Sequence, residues 1–283
     1  MNDNTRLILE RIRKLPEHAL TTSMRSPRGT FERSFKGALL ADYAAMHGLT
    51  PAPSPNGPAN YYFVATAEDG FKVSLSFTEV STHSSSKQVL LAWEQDGEPL
   101  RVGVRLVVPG DDLGGRSILG VAGLELKSVE SEMSDLRPES SAFELRGLVE
   151  RPQRFDLGAL SRFATEDIET LPATGHGDFL QPSRHYSGVS LFTLLEDAGM
   201  KLNPAINEDI LRKVVVARST DGYGIAIAAG EIEPRFMAGD VIVATACEGK
   251  PLAEDGRFRL VVPYDKVIGR AVKCLASIEL IEA

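Results

Sequence analysis

Two groups of residues could carry chemistry. The first is read as one Gly- and Pro-containing loop before a helix, where His176, Asp178, Arg184, His185 and Tyr186 fall close together. The second is basic: Arg259, Arg270 and Lys273, near the C-terminus. Guanidinium, ammonium and imidazole groups converging on one pocket would hold an anion by charge-assisted hydrogen bonds, which are shorter and stronger than neutral ones. The spacing of His176, Asp178 and His185 matches no zinc pattern, so no metal ligand set is assigned. The alternative for Arg184 is a solvated arginine paired with a carboxylate, because Arg33 occupies the equivalent place earlier in the chain without histidines beside it. The alternative for the second group is ordinary structural charge. Of the two cysteines, Cys247 precedes a Gly-Lys-Pro-Leu turn and Cys274 is read as lying on the strand after Val272-Lys273. Both read as small buried apolar residues. The sequence contains no nucleophile elbow, Walker loop, HExxH, CxxC pair or dinucleotide fingerprint.

The elements that must position these residues come in two sets, because the sequence repeats. Residues 9–49 fall without a gap on 160–200, placing Leu9, Arg33, Gly37, Leu40 and Gly48 on Leu160, Arg184, Gly188, Leu191 and Gly199. Further on, Asp69-Gly70-Phe71 matches Asp221-Gly222-Tyr223, and Gly97-Glu98-Pro99-Leu100 matches Gly249-Lys250-Pro251-Leu252. Half of the positions from Arg105 to Leu126 are identical to those from Arg259 to Leu280. Blocks in one order with so few gaps predict two tandem copies: residues 1–127 as copy one, a polar, serine-rich linker at 128–141, and copy two at 142–283. Lys273 has Leu119 as its counterpart, so copy two is the better candidate for a site.

Within a copy, Leu191, Leu194, Leu195 and Ala198 follow the i, i+3, i+4, i+7 spacing of a one-faced helix, and Gly199 stands where a left-handed cap is wanted. The runs at Val214–Val216, Ile225–Ile227, Val241–Val243 and Leu260–Val262 are β-branched and bounded by turn residues, as strands are. Each copy therefore reads as α+β, mostly β with few helices. Copy one lacks a counterpart of the opening strand at 143–149 and is expected to lean on its neighbour for that edge. The net charge of −8, evenly distributed with no basic stripe, argues against nucleic acid as a partner. No apolar run approaches the length of a membrane helix, and the first residues lack the order of a signal peptide, so a cytoplasmic location is expected.

Phe143-Glu-Leu-Arg-Gly-Leu-Val-Glu-Arg-Pro152, Tyr186-Ser-Gly-Val-Ser-Leu191, Ser219-Thr-Asp-Gly-Tyr223, Arg259-Leu-Val-Val-Pro263 and Gly269-Arg-Ala-Val-Lys273 occur in an order that resembles the molybdopterin-binding domain of the sulfite oxidase family. The resemblance spans nearly all of copy two, and copy one from about Leu9 to Leu126. It implies a pterin-held molybdenum in active members, with oxygen-atom transfer or reduction. It also implies that Arg259, Arg270 and Lys273 lie where such members cradle the pterin phosphate. Active members ligate the metal with a cysteine upstream of the motif matching Tyr186-Ser187-Gly188. Neither 171–188 nor its counterpart in copy one, at 20–37, contains one. Histidine or threonine does not replace a thiolate at such a centre. Two functions follow from the residues. One is an oxidoreductase-like protein binding molybdopterin or another anionic small molecule in copy two through His176, Arg184, His185, Tyr186, Arg259, Arg270 and Lys273, with non-standard or no molybdenum ligation. The other is a non-catalytic binding or assembly module that kept the fold.

Overall fold

The computed structural model describes residues 1–283 except 27–28, 54–56, 136–137, 176–178, 238–239 and 254–255. In the first half, α1 (Asp3–Ile12) precedes a long hairpin of β1 (His18–Ser26) and β2 (Gly29–Leu39), then α2 (Leu40–Met46). β3 (Tyr61–Ala67), β4 (Lys72–Ser76), α3 (Phe77–Val80), β5 (Leu90–Gln95), β6 (Glu98–Pro99), β7 (Arg105–Val107) and β8 (Val121–Ser128) complete it. One sheet runs β1-β2-β5-β6, with β7 also on β5, and a second runs β4-β3-β8.

The second half opens with β9 (Phe143–Gly147), β10 (Gln153–Phe155), α4 (Leu157–Leu160) and β11 (Glu166–Glu169). A small hairpin of β12 (Ala173–Thr174) and β13 (Leu180–Gln181) leads to β14 (His185–Ser190) and α5 (Leu191–Ala198). β15 (Lys213–Ser219), β16 (Gly224–Ala228), α6 (Ala229–Ile232), β17 (Ile242–Cys247), β18 (Lys250–Pro251), β19 (Arg259–Val261) and β20 (Leu275–Glu282) follow. Its sheets run β11-β14-β17-β18, with β19 on β17, and β10-β9-β20-β15-β16. The α+β class, mostly β, is as expected.

Local sequence explains the elements that hold the site. In α5 the predicted residues Leu191, Leu194, Leu195 and Ala198 are the buried ones, and Gly199 caps the helix at φ 75°. The strand before it bulges between Ser187 and Gly188, where β14 meets β17. A Cβ on Gly188 would lie 2.6 Å from the Ala244 Cα and closer still to the Val243 carbonyl oxygen. Gly37, on β2, meets Leu91 and Ala92 of β5 in the same way, with the same bulge just before it. Only glycine permits that approach.

The halves share one contiguous apolar core. Tyr62 and Val64 of β3 pack with Val214, Val216 and Ala226. They also exchange equivalent backbone bonds: Asp112 N–H donates to the Phe236 carbonyl at 2.9 Å, and Lys266 N–H to the Ser84 carbonyl at 3.0 Å. The expectation that the first half borrows its missing edge strand is not met. β9 pairs only with β20 and β10, β8 has α1 packed against it, and the halves meet around β4 and β16 instead.

The stretch 128–141 is not a loose tether. Ser128 ends β8, Ser134 N–H donates to the Asp221 carbonyl at 2.7 Å, and Gly224 N–H donates to Ser131 Oγ at 2.9 Å. Gly222, at φ 90°, leaves room for the Glu132 carbonyl to pass. Among the described residues no helix is long and apolar enough to cross a membrane.

Candidate functional site

β14 and β19 approach each other through β17 in the second half, and their side chains form one wall of a small cleft. Arg184 and Tyr186 alternate with His185 along the chain and so share one face. Arg259, on β19, is buried to 6% exposure and lies with its guanidinium 5.3 Å from the centre of the Tyr186 ring. That is cation–π geometry, which stabilises a desolvated guanidinium by about 1–2 kcal/mol. Thr170, Gln181 and Asp265, with apolar residues such as Val261 and Ile268, also line this cleft of about 40 Å³. A cleft of that size with several polar groups on its wall takes a few waters or a compact oxyanion.

The other expected site residues go elsewhere. His185 and Tyr186 stand on β14, paired with β11, and not on a loop, and the side chain of His185 falls on the opposite face from Tyr186. Its main chain is held to Glu248, its N–H donating to Oε1 at 2.9 Å and its carbonyl accepting from the Glu248 N–H, also at 2.9 Å. His176 and Asp178 lie outside the described residues. Arg270 is the main correction. It is 1% exposed, with Nε 2.8 Å and Nη2 2.5 Å from the Asp265 carboxylate and Nη1 2.8 Å from Glu231. Burial pulls its pKa down, but the two carboxylates outweigh burial and hold it above the ordinary arginine value. A guanidinium so enclosed binds carboxylates of its own chain, not a ligand. Lys273 is half-buried across the main chain from Arg259, bracketed by the Leu260–Val272 and Leu275–Phe258 hydrogen bonds, but does not line the cleft.

No motif or spacing pointed to Thr170 or Gln181. Thr170 Oγ1 accepts the Arg184 N–H at 3.1 Å, fixing the main chain at the start of β14. Asp265 could have been found through its counterpart Asp111, since each sits five residues before an arginine of the repeated block. In the first half Arg116 is likewise fully buried, with Nε 2.7 Å from Asp111 and Nη1 3.0 Å from Glu79. Lys87 adds a second cation there, 2.6 Å from Glu79. Burial would raise the Glu79 pKa, but Arg116 and Lys87 reverse that and hold it at about 2. Asp111 and Asp265 are raised, burial outweighing their arginines.

At the place matching the cleft, the first half carries Arg105 over Phe35 at 5.5 Å, with Nη1 2.9 Å from Gln95 Oε1 and Nη2 3.8 Å from Met24 Sδ. There the guanidinium is half-buried and held by Gln95.

The donor set does not fit a thiolate-held molybdenum. Cys247 pairs with Tyr186 across β14 and β17 and packs with the apolar residues Ile242, Ala244 and Val261, half-buried where full burial was expected. Cys274 is buried against Gly256, in a turn at φ 47° rather than on a strand. Neither stands on 171–188.

A family model described as the oxidoreductase molybdopterin-binding domain matches residues 130–283, more than half of the chain. The chain belongs to this family. No curated protein gives a significant match. Among solved structures, the sulfane dehydrogenase SoxCD from Paracoccus pantotrophus is similar, at 23% identity and a TM-score of 0.42. That match covers 56% of this chain and 42% of the other, so the chain spans less than half of that protein's length.

Proposed function

We propose that this oxidoreductase-like chain is a tandem duplicate of the family's domain, and that its second copy holds an anionic group in the cleft of Arg184, Tyr186 and Arg259 without thiolate-bound molybdenum. The observation that carries the proposal is the Arg259–Tyr186 stack on the wall of a small cleft that Arg184 also lines. The duplication is supported by the aligned blocks and by the matching strand orders, bulges and buried arginine networks. The anion is either a free oxyanion or the phosphate end of a larger ligand such as a pterin.

Thermal unfolding with and without inorganic phosphate, and with a pterin monophosphate, tests this reading. Both compounds should raise the transition of the wild type. Arg184→Ser, at an exposed position, should abolish the rise and leave the unliganded transition unchanged. Lys273→Leu should leave the rise in place, because that side chain does not line the cleft. No rise with either compound would overturn the anion site. About one molybdenum per chain by elemental analysis, lost in Cys247→Ser, would overturn the ligation reading.

The second reading is a non-catalytic module that kept the fold for assembly. It is favoured by the fate of Arg270 and Arg116, which serve the same internal role in both halves.

A further inference from the structure

A second concavity opens at the other end of β11 and β14, away from the Arg184 cleft. Its volume of about 540 Å³ is within the range that specific ligand sites occupy. α5 contributes Phe192 and Glu196, the chain beyond Gly199 contributes Met200 and Leu202, and Glu166 and Asp240 stand on its rim. Leu202 is 40% exposed, and Phe192 and Met200 are only half-buried, so the floor is an open apolar strip.

The charge around this strip is one-sided. Among the described residues Arg235 is the one cation in the lining, and it is held by the chain itself: Nε lies 2.9 Å from Glu233 and Nη2 3.0 Å from Glu208. Glu166, Glu196 and Asp240 are exposed and have no cationic partner among the described residues. Three carboxylates around a common groove repel one another, and a cationic occupant would relieve that repulsion.

The groove is not a by-product of the fold. In the gap-free alignment of the halves, Phe192, Glu196 and Glu166 fall on Ala41, Ala45 and Leu15. Aromatic floor and acidic rim are therefore lost together in the first half. A metal ion would leave the apolar floor in water, and an apolar ligand would leave the carboxylates uncompensated. An extended peptide alternates its side chains between two directions and can serve both needs, with lysine or arginine toward the rim and apolar side chains toward the floor.

We propose that this groove docks a segment of a partner protein in which basic and apolar side chains alternate. Electrostatic attraction to the rim speeds and selects encounter, and burial of Phe192, Met200 and Leu202 slows release.

The test is fluorescence anisotropy with a fluorescein-labelled peptide of alternating lysine and leucine. The wild type should bind it saturably, and more weakly as salt rises. Glu166→Gln, Glu196→Gln and Asp240→Asn combined should weaken binding by about tenfold or more and flatten the salt dependence. Leu202→Ser should weaken binding severalfold while leaving the salt dependence as it was. A control neutralising Glu10, Glu98 and Glu139, exposed elsewhere, removes the same charge and should change affinity by less than about twofold. All these positions are exposed, so each variant should keep the wild-type melting temperature. Absence of saturable binding to the wild type would overturn the proposal. Equal weakening by the control would also do so, because it would show attraction to net charge and not to this groove.

Discussion

Removing Arg270 should cost more than removing Arg116, although the two occupy matching networks. Arg270→Met leaves Asp265 and Glu231 buried and facing the same lost cation, with Ser76 Oγ 2.5 Å from Glu231 as the remaining close polar contact. Breaking a buried ion pair typically costs 3–5 kcal/mol, and with two carboxylates stranded the upper end applies, about 5 kcal/mol. Arg116→Met also strands two carboxylates, but Lys87 Nζ stays 2.6 Å from Glu79 and 3.8 Å from Asp111. The lower end applies there, about 3 kcal/mol. At roughly 2 °C per kcal/mol for a chain of this size, the melting temperatures should fall by about 10 °C and about 6 °C respectively. The two also differ in pH dependence. Burial already raises the Asp265 pKa, and Arg270→Met removes the cation that holds it down, so the protonated folded state is the stable one at low pH. Stability is then lost as pH rises through that raised value, and the deficit should be larger at pH 8 than at pH 5. Circular dichroism melts of both variants at the two pH values measure this. The double variant Lys87→Met/Arg116→Met should fall to the level of Arg270→Met. Equal losses for the two single variants, or a deficit in Arg270→Met that ignores pH, would refute the reasoning.

Two further outcomes are expected. Gly188→Ala forces a methyl to 2.6 Å from the Ala244 Cα, against ordinary contact near 3.5 Å, so β14 and β17 must part; urea denaturation should show a loss of about 3 kcal/mol or more, whereas Ser187→Ala beside it should lose under about 1 kcal/mol. Glu79, lowered from 4.5 to about 2, contributes roughly 3 kcal/mol that is present above pH 4.5 and lost as pH falls toward 2. Glu79→Gln should flatten that acid limb of the stability curve, and an unchanged slope between pH 5 and pH 2 would count against the assignment.

Much of the scaffold was legible in the sequence because its signals are local. The spacing of Leu191, Leu194, Leu195 and Ala198 with Gly199 named a helix and its cap, since both depend on the backbone within a few residues. The β-branched run at 214–216 named a strand for the same reason, whereas 185–186 read as loop and became strand only through pairing with Glu169 and Cys247. The glycines at 37 and 188 stood out in the aligned blocks, but why they must be glycine appeared only when Leu91 and Val243 were seen against them.

The site was legible only in part. Arg259 and Arg270 stand eleven positions apart in one repeated block, with the same side chain and the same apparent chemistry. One faces a cleft beneath which Tyr186 lies, and the other is enclosed by Asp265 and Glu231. Glu231 is 39 positions from Arg270 along the chain, and no local pattern reports which distant carboxylate will reach a guanidinium. The stretch 128–141 shows the same limit. Its composition is that of a linker, and what ties it down is the backbone of Asp221, Gly222 and Gly224, brought alongside by the sheet. Hydrophobic period and turn chemistry are properties of neighbours in sequence and fix the elements. Which charge is desolvated, which is neutralised and which faces solvent depends on groups that meet only after those elements pack, so the tertiary structure alone decided it.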